Sequence, residues 1–207
     1  MVGDKDVVMA IILSEASVEG EEGIQAVINT IVNRSRGDNT IGRFRDVVTK
    51  ENAYEGYTLR KKKKLSEFVG EYKDFKNPDT EKQWYDTEKL LDEALAGELE
   101  DITGGATHYL NPELQKAEWR PLPDWALMAK TKQIGSHLFG VGLTKDELKE
   151  LPFEEAFNRA RSIMGSGHYF EYIDREEFTT MTPGEIEMHK LREQANKLVY
   201  EENIENL

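Results

Sequence analysis

Glu15 is the residue in this sequence that invites acid–base chemistry, because it interrupts the apolar stretch "VVMAIILSEASVEGEEG". At about 100° per residue of an α-helix, its side chain falls in the middle of an apolar arc. The arc consists of Val7, Val8, Ile11 and Ile12. Burial raises the pKa of a carboxyl group, which suits a general acid near neutral pH. The alternative is a structural Glu that accepts hydrogen bonds from the Gly-rich turn that follows, and the pattern leaves both open.

Two further segments contain polar side chains of the kind that bind ligands. "TGGATHYLNP" supplies His108, Tyr109 and Asn111 beside two glycines, which let backbone approach closely. This loop can hold a polar ligand such as a sugar, or it is an ordinary Gly-containing turn with a packed Tyr. His137 in "IGSHLF" has apolar neighbours, and a lone His in such a place is more often a core residue than a ligand.

Several kinds of chemistry are not supported by the sequence. The four His residues show no His-x-x-x-His spacing and there is no Cys, so we expect no metal site. There is no P-loop and no dinucleotide-binding Gly pattern, so we expect no cofactor. Ser14 does not lie in a nucleophile elbow. Hydrolysis through an activated serine is therefore unsupported.

Charge and hydropathy exclude other classes of protein. The 27 Lys and Arg residues against 40 Asp and Glu give a net charge of −13, which argues against a general nucleic-acid binder. The longest apolar run, "VVMAIIL", is far shorter than the ~20 residues of a membrane span. The acidic start and the missing cleavage site also argue against a signal peptide.

Helical periodicity predicts three helices in the first half of the chain, at residues 5–17, 21–35 and 80–96. The segment "IGRFRDVVTKENAYEGYTLRKKKK" has no sustained period, and we expect loop and short strand there. "DITGGATHYLNPELQKAEWRPLPDW" is too irregular for a helix, although "ATHYL" fits a short strand. "KQIGSHLFGVGL" is expected to form one further strand.

Three segments taken together resemble the spore-cortex-lytic and cell wall hydrolase (SleB-like) family. They are "IILSEASVEGEEGIQAVINTIVNRSR", "LAGELEDITGGATHYLNP" and "DWALMAKTKQIGSHLF". They show, in the order of that family, a Glu ending the first helix, a helix ending in Asn-Arg, Gly-Gly-Ala, a Trp and Ile-Gly-x-His-x-Phe. The resemblance implies an α+β, mostly helical, lysozyme-like fold with a small β lobe that cleaves peptidoglycan glycan strands.

In this resemblance Glu15 matches the catalytic acid of the family. Residues expected to bind substrate are Tyr54, His108, Tyr109, Asn111, Trp125 and His137. The family commonly has a Gln-Phe-Ser segment where this chain has "ENAYEGY", so Asn52 and Tyr54 are expected to substitute there.

The implied reaction is that of a lytic transglycosylase, for which a single acid is enough. Hydrolases usually need a second carboxylate, at roughly 5 Å for retention or roughly 6.5–9.5 Å for inversion. Asp101 and Glu51 are the nearest candidates by motif, and neither has a helical-face argument like that of Glu15. We therefore favour the transglycosylase over a muramidase-type hydrolase.

We expect a catalytic domain at residues 1–142, a small helix plus β-hairpin module at 143–182 and a charged C-terminal helix at 183–207. "LPFEEAFNRARSIMGSGHYFEYIDREEFTT" resembles a short module recurrent near the ends of phage structural proteins. That resemblance implies an enzyme carried in the virion to the bacterial cell wall, with residues 151–207 docking on other virion subunits. The alternatives are a structural tail protein with little or no turnover and a wall-remodelling enzyme of the bacterium itself.

Overall fold

The computed structural model describes residues 2–50, 53–54, 64–117, 122–127, 131–142 and 162–163. The chain divides into two compact units. The first comprises Met1–Tyr109 and Thr131–Gly142, and the second comprises Leu110–Lys130 and Leu143–Leu207. The described residues form an α+β fold, mostly helical with a small three-stranded sheet, as predicted. None of the helices within these ranges is long and apolar enough to cross a membrane.

The described part of the first unit contains five helices. They are α1 (Asp4–Ala16), α2 (Gly20–Ser35), α3 (Ile41–Thr49), α4 (Leu65–Tyr72) and α5 (Pro78–Ala96). The three helices predicted from periodicity are α1, α2 and α5, and their observed ends agree with the prediction within a few residues. Gly97 ends α5 in the left-handed conformation at φ 75°, which a residue without a Cβ adopts at little cost.

Helix α1 is the centre of this unit, because the other four helices all pack against it. Every residue from Val7 to Leu13 is buried. The sequence predicted one apolar face, but the apolar surface continues around the whole helix, as is typical of a helix enclosed on all sides. Its two ends approach the surface, and the last turn carries Glu15.

Helix α3 corrects the prediction of loop and short strand that begins at Ile41. The Thr40 side chain accepts a hydrogen bond from the Arg43 amide at 3.3 Å and caps the helix. Phe44, Val47 and Val48 are buried on one face, at the spacing of three and four residues that a short amphipathic helix requires. The rest of that segment lies largely outside the described residues, including three of the four lysines at 61–64.

The sheet consists of β1 (His108–Leu110), β2 (Thr131–Ile134) and β3 (His137–Gly140), in the order β1-β3-β2. Strand β1 confirms the prediction for "ATHYL". The prediction of a single strand after it was wrong, because β2 and β3 form an antiparallel hairpin that pairs Ile134 with His137. Gly135, at φ 55°, is the first residue of the two-residue turn, where a positive φ favours glycine.

In the second unit the described part contains α6 (Pro112–Ala117) and a short 3-10 helix at Asp124–Leu127. Helix α6 falls within the segment judged too irregular for a helix. Its start signal is Asn111 followed by Pro112, since Asn is a preferred cap and Pro suits the first helical position. The predicted module at 143–182 and the predicted C-terminal helix at 183–207 lie outside the described residues apart from 162–163, and they stay predictions.

Candidate active site

Glu15 lies partly buried in the last turn of α1. At this point the helices meet the strand lobe, which is formed by β1, β2 and β3. Its Oε2 accepts a hydrogen bond of 2.9 Å from the Tyr109 hydroxyl, across 94 residues of sequence. A hydrogen bond to a carboxylate is stronger than one between neutral groups, so this contact fixes the orientation of the acid. The structure therefore brings together the predicted acid and one of the predicted substrate-binding residues.

Tyr109 lies at the centre of an aromatic group that also contains Tyr54, His137 and Phe139. The ring centroid of Tyr109 is 5.5 Å from that of Phe139, 5.4 Å from that of His137 and 6.4 Å from that of Tyr54. Burial raises the pKa of Tyr109 well above its ordinary value of 10.0, and the charge of Glu15 raises it further. The phenol consequently keeps its proton and acts as the donor to Glu15.

Arg34, at the end of α2, connects the segments that carry Tyr54 and Tyr109. Its Nε donates to the Thr107 carbonyl at 2.5 Å, and its Nη1 donates to the Ala53 carbonyl at 3.3 Å. The guanidinium carbon lies 5.1 Å from the centroid of the buried Tyr54 ring, a cation–π distance. Burial raises the pKa of Tyr54, and the charge of Arg34 opposes that rise.

Two asparagines of α2 bind the loop that leads into β1. Asn29 donates to the Glu100 carbonyl at 3.1 Å and accepts from the Ile102 amide at 3.1 Å. One turn later, Asn33 donates to the Ala106 carbonyl at 3.0 Å. Neither contact is predicted from the sequence, although two asparagines four residues apart, on one side of α2, were the available signal.

Asp101 organises the same loop. Its carboxylate accepts hydrogen bonds from the Thr103 amide at 2.8 Å, the Thr103 hydroxyl at 2.6 Å and the Gly105 amide at 2.8 Å. Asn33 donates a fourth at 3.2 Å. Burial alone would raise the pKa of Asp101, but these hydrogen bonds outweigh it and lower the pKa. This arrangement gives Asp101 a structural role, while Glu51, the other candidate second carboxylate, lies outside the described residues.

The Asp101 loop predicts a pH-dependent stability. A carboxylate whose pKa is lowered by folding stabilises the fold above its unfolded pKa, and this contribution is lost as the pH falls through its folded pKa. Asp101→Asn should therefore reduce the free energy of unfolding at pH 7 by about 1–2 kcal/mol, since an amide replaces two acceptors with one. This difference in the free energy of unfolding should shrink below pH 3.8, the ordinary pKa of an Asp side chain. Urea unfolding at pH 7 and near pH 3 measures both effects.

Asp46→Asn is the matched control for that experiment, because Asp46 is exposed on α3. Its replacement should change the free energy of unfolding by less than about 0.5 kcal/mol at either pH. If Asp101→Asn changes the free energy of unfolding at pH 7 equally little, the Asp101 hydrogen bonds do not stabilise the loop.

Glu19, a functional candidate that the sequence pattern does not indicate, binds the turn of the β2–β3 hairpin. Its Oε2 accepts from the Ser136 amide at 2.8 Å, and its Oε1 accepts from the Ser136 hydroxyl at 2.5 Å. Oε1 also lies 3.7 Å from Nδ1 of His137. Burial alone would raise the pKa of Glu19, but the hydrogen bonds from Ser136 and the neighbouring His137 lower it.

The two predicted histidines are both partly buried. Burial lowers the pKa of His137, although Glu19 opposes the change. Burial also lowers the pKa of His108, and the charge of Arg34 lowers it further. Nδ1 of His108 lies 2.9 Å from the Thr107 hydroxyl. Both imidazoles are therefore mainly neutral at pH 7 and can donate and accept hydrogen bonds.

Asn111 and Trp125, the remaining predicted substrate-binding residues, belong to the second unit. Asn111 caps α6, where its side-chain oxygen accepts from the Glu113 amide at 3.0 Å and the Leu114 amide at 3.1 Å. Trp125 is buried within the 3-10 helix. Across the described ranges, no group of three or more His, Cys, Asp or Glu side chains could hold a metal ion.

Comparison with known proteins identifies the family to which the chain belongs. The family model for cell wall hydrolases matches residues 18–140, more than half of the chain. The chain therefore belongs to the cell wall hydrolase family, and it is a peptidoglycan-cleaving enzyme. Glu15 lies just before the matched range, whereas all the predicted substrate-binding residues lie inside it. No curated protein and no solved structure matches the chain.

Proposed function

We propose that this protein cleaves peptidoglycan glycan strands as a lytic transglycosylase, with Glu15 as its single general acid and base. The observation that carries the proposal is the hydrogen bond from the Tyr109 hydroxyl to Glu15. It gives an acid at the end of a buried helix one fixed orientation beside the strand lobe. A positioned proton donor of this kind is what cleavage of a glycosidic bond requires.

In the proposed reaction, protonated Glu15 donates its proton to the glycosidic oxygen between N-acetylmuramic acid and N-acetylglucosamine. The bond from C1 of the muramic acid to that oxygen breaks, and the N-acetylglucosamine end leaves as an alcohol. The Glu15 carboxylate then accepts the proton of the C6 hydroxyl as its oxygen bonds to C1, which closes a 1,6-anhydro ring. Tyr109 stabilises the carboxylate between the two proton transfers, because it keeps its own proton.

The hydrogen bonding of two other carboxylates, Glu19 and Asp101, supports the transglycosylase over the hydrolase. Hydrolysis uses a second carboxylate as base or nucleophile. The Glu19 carboxylate already accepts two hydrogen bonds from Ser136, and the Asp101 carboxylate accepts four from its loop. Such bonds stabilise the ionised form and make it a weaker base. Either residue is thereby better suited to holding structure than to activating water.

Digestion of purified peptidoglycan, followed by mass spectrometry of the products, tests the mechanism. Products with 1,6-anhydromuramic ends are expected. Reducing ends would show that water, not the C6 hydroxyl, attacks C1, and would overturn the transglycosylase assignment. Absence of any product would favour the alternative, a structural virion protein that keeps the fold without turnover.

We further propose that the enzyme is carried in a phage particle and acts on the wall during genome entry. The support is the resemblance of residues 151–180 to a module of phage structural proteins, together with the charged segment that follows it. Deletion of residues 151–207 should spare activity on isolated wall but abolish incorporation into particles. Unchanged incorporation would contradict docking through this region.

A further inference from the structure

Glu19 is a largely buried acidic residue close to the proposed active site. It precedes α2 in the short turn after α1, four residues beyond Glu15. Its side chain is only 10% exposed, and both carboxylate oxygens are hydrogen-bonded to Ser136 of the hairpin turn, 117 residues away. Charge-assisted hydrogen bonds to a backbone amide and a hydroxyl fix the turn more firmly than neutral contacts would. The hairpin is therefore fixed to the same turn that follows the proposed acid.

Gly135, the residue before Ser136, lies against the same Glu19 carboxylate. A Cβ built on Gly135 would collide with the Glu19 carboxylate, and the φ of 55° also favours glycine there. The Gly of the Ile-Gly-x-His-x-Phe segment thus leaves room for Glu19 to approach the turn. The hairpin sequence and Glu19 fit each other sterically as well as electrostatically.

The hairpin in turn supports the donor to Glu15. His137 packs with its ring nearly perpendicular to that of Tyr109, at an interplanar angle of 80°. Phe139, two residues further along the same face of β3, packs against Tyr109 at 5.5 Å between centroids. Since Oε1 of Glu19 lies 3.7 Å from the His137 ring, it contacts the hairpin at the residue that touches Tyr109.

We infer that Glu19 is a positioning residue for the proposed acid Glu15, and that it acts by holding the β2–β3 hairpin against Tyr109. The inference rests on the proposed function for its effect on catalysis. Glu19 itself need not touch the substrate, because its carboxylate is directed at the hairpin turn. A small displacement of Tyr109 would alter the hydrogen bond that orients the acid, and displacements of this kind can slow an enzyme strongly.

The test combines Glu19→Gln, Tyr109→Phe and the double variant, measured as kcat and KM on solubilised glycan strands. Glu19→Gln should lower kcat by about 10- to 100-fold with little change in KM, because orientation of the acid is lost while substrate binding remains. If Glu19 acts through Tyr109, the double variant should be no slower than Tyr109→Phe alone, since coupled residues are not additive. Multiplicative effects in the double variant, or wild-type kcat in Glu19→Gln, would overturn the inference.

Glu22→Gln is the matched control, because Glu22 lies exposed in the first turn of α2 and its replacement removes the same charge. Its kcat should equal that of the wild type. Ser136→Ala, which removes only the hydroxyl donor to Glu19, should lower kcat in the same direction by a smaller factor. It keeps the inference testable if Glu19→Gln does not fold, and a wild-type kcat in Ser136→Ala would then contradict it.

NMR signals of the Tyr109 and His137 rings separate this inference from the proposed function. Both should shift in Glu19→Gln but not in Glu22→Gln, and the His137 imidazole should titrate at lower pH once the opposing Glu19 charge is gone. If the wild type fails to cleave peptidoglycan, the proposed function fails while the ring signals still report on the hairpin. Ring signals identical to those of the wild type would overturn the positioning role whatever the activity.

Discussion

Replacing Glu15 with Gln is expected to lower the rate of glycan-strand cleavage by about 10²- to 10⁴-fold, the usual contribution of a positioned general acid. The amide has nearly the size of the carboxyl group and still offers an oxygen to the Tyr109 hydroxyl, so packing at the end of α1 is retained. It has no proton to give to a glycosidic oxygen at neutral pH. The rate is measured as release of soluble fragments from purified peptidoglycan.

Thermal unfolding supplies the control for that prediction. The melting temperature of Glu15→Gln should stay within about 4 °C of the wild type, which corresponds to roughly 1 kcal/mol for a chain of this size. Glu22→Gln, with an exposed carboxylate, should keep full activity. Full activity in Glu15→Gln would show that another residue is the acid, even if peptidoglycan cleavage itself is observed.

The location of the proposed acid was predictable because it depends on local sequence. A charged residue within an apolar helical stretch is visible without knowledge of the rest of the fold. The periodicity nevertheless predicted too small a buried surface on α1, since Met9, Ala10 and Leu13 are buried together with the predicted arc. A helix that packs against neighbours on all sides has no polar face, so an amphipathic pattern cannot describe it.

The partners of the acid were less predictable, because they come from distant parts of the chain. The hydrogen bond between Glu15 and Tyr109 spans 94 residues, and the contact between Glu19 and Ser136 spans 117. A Glu beside glycines before a helix suggests favourable interaction with the helix N-terminus. Nothing in its local sequence indicates a hairpin turn as its partner.

Two local features were missed for a different reason. Thr40 followed by apolar residues at 44, 47 and 48 is a capped helix start, but the neighbouring Arg residues obscured the period of α3. Gly135-Ser136 is a two-residue turn between β2 and β3, but the apolar residues on both sides of it favour one continuous strand. The sequence contained signals for both the helix start and the turn, but nothing in it indicated which helices and strands pack against each other.

The second large effect is expected for Arg34→Ala, which should lower the free energy of unfolding by about 2–4 kcal/mol, since hydrogen bonds from a charged group typically contribute about 1.5–3 kcal/mol each. The Thr107 and Ala53 carbonyls both lose their Arg34 donor, and the Tyr54 ring loses its cation. Activity should fall as well, because Thr107 leads directly into the strand that carries Tyr109. Urea unfolding and peptidoglycan digestion measure the two effects.

Arg43→Ala and Arg34→Lys distinguish this role from a general effect of charge. Arg43 lies partly exposed on α3, and its loss should change the free energy of unfolding by less than about 0.5 kcal/mol. Lys keeps the positive charge at position 34 but has no planar fork of donors, so it should recover only part of the lost stability. Full recovery by Lys would mean that charge near Tyr54 matters more than the two carbonyl contacts. If Arg34→Ala unfolds at the same urea concentration as Arg43→Ala, those contacts do not hold the strand lobe, and the orientation of Tyr109 depends on its other contacts, such as those with the hairpin.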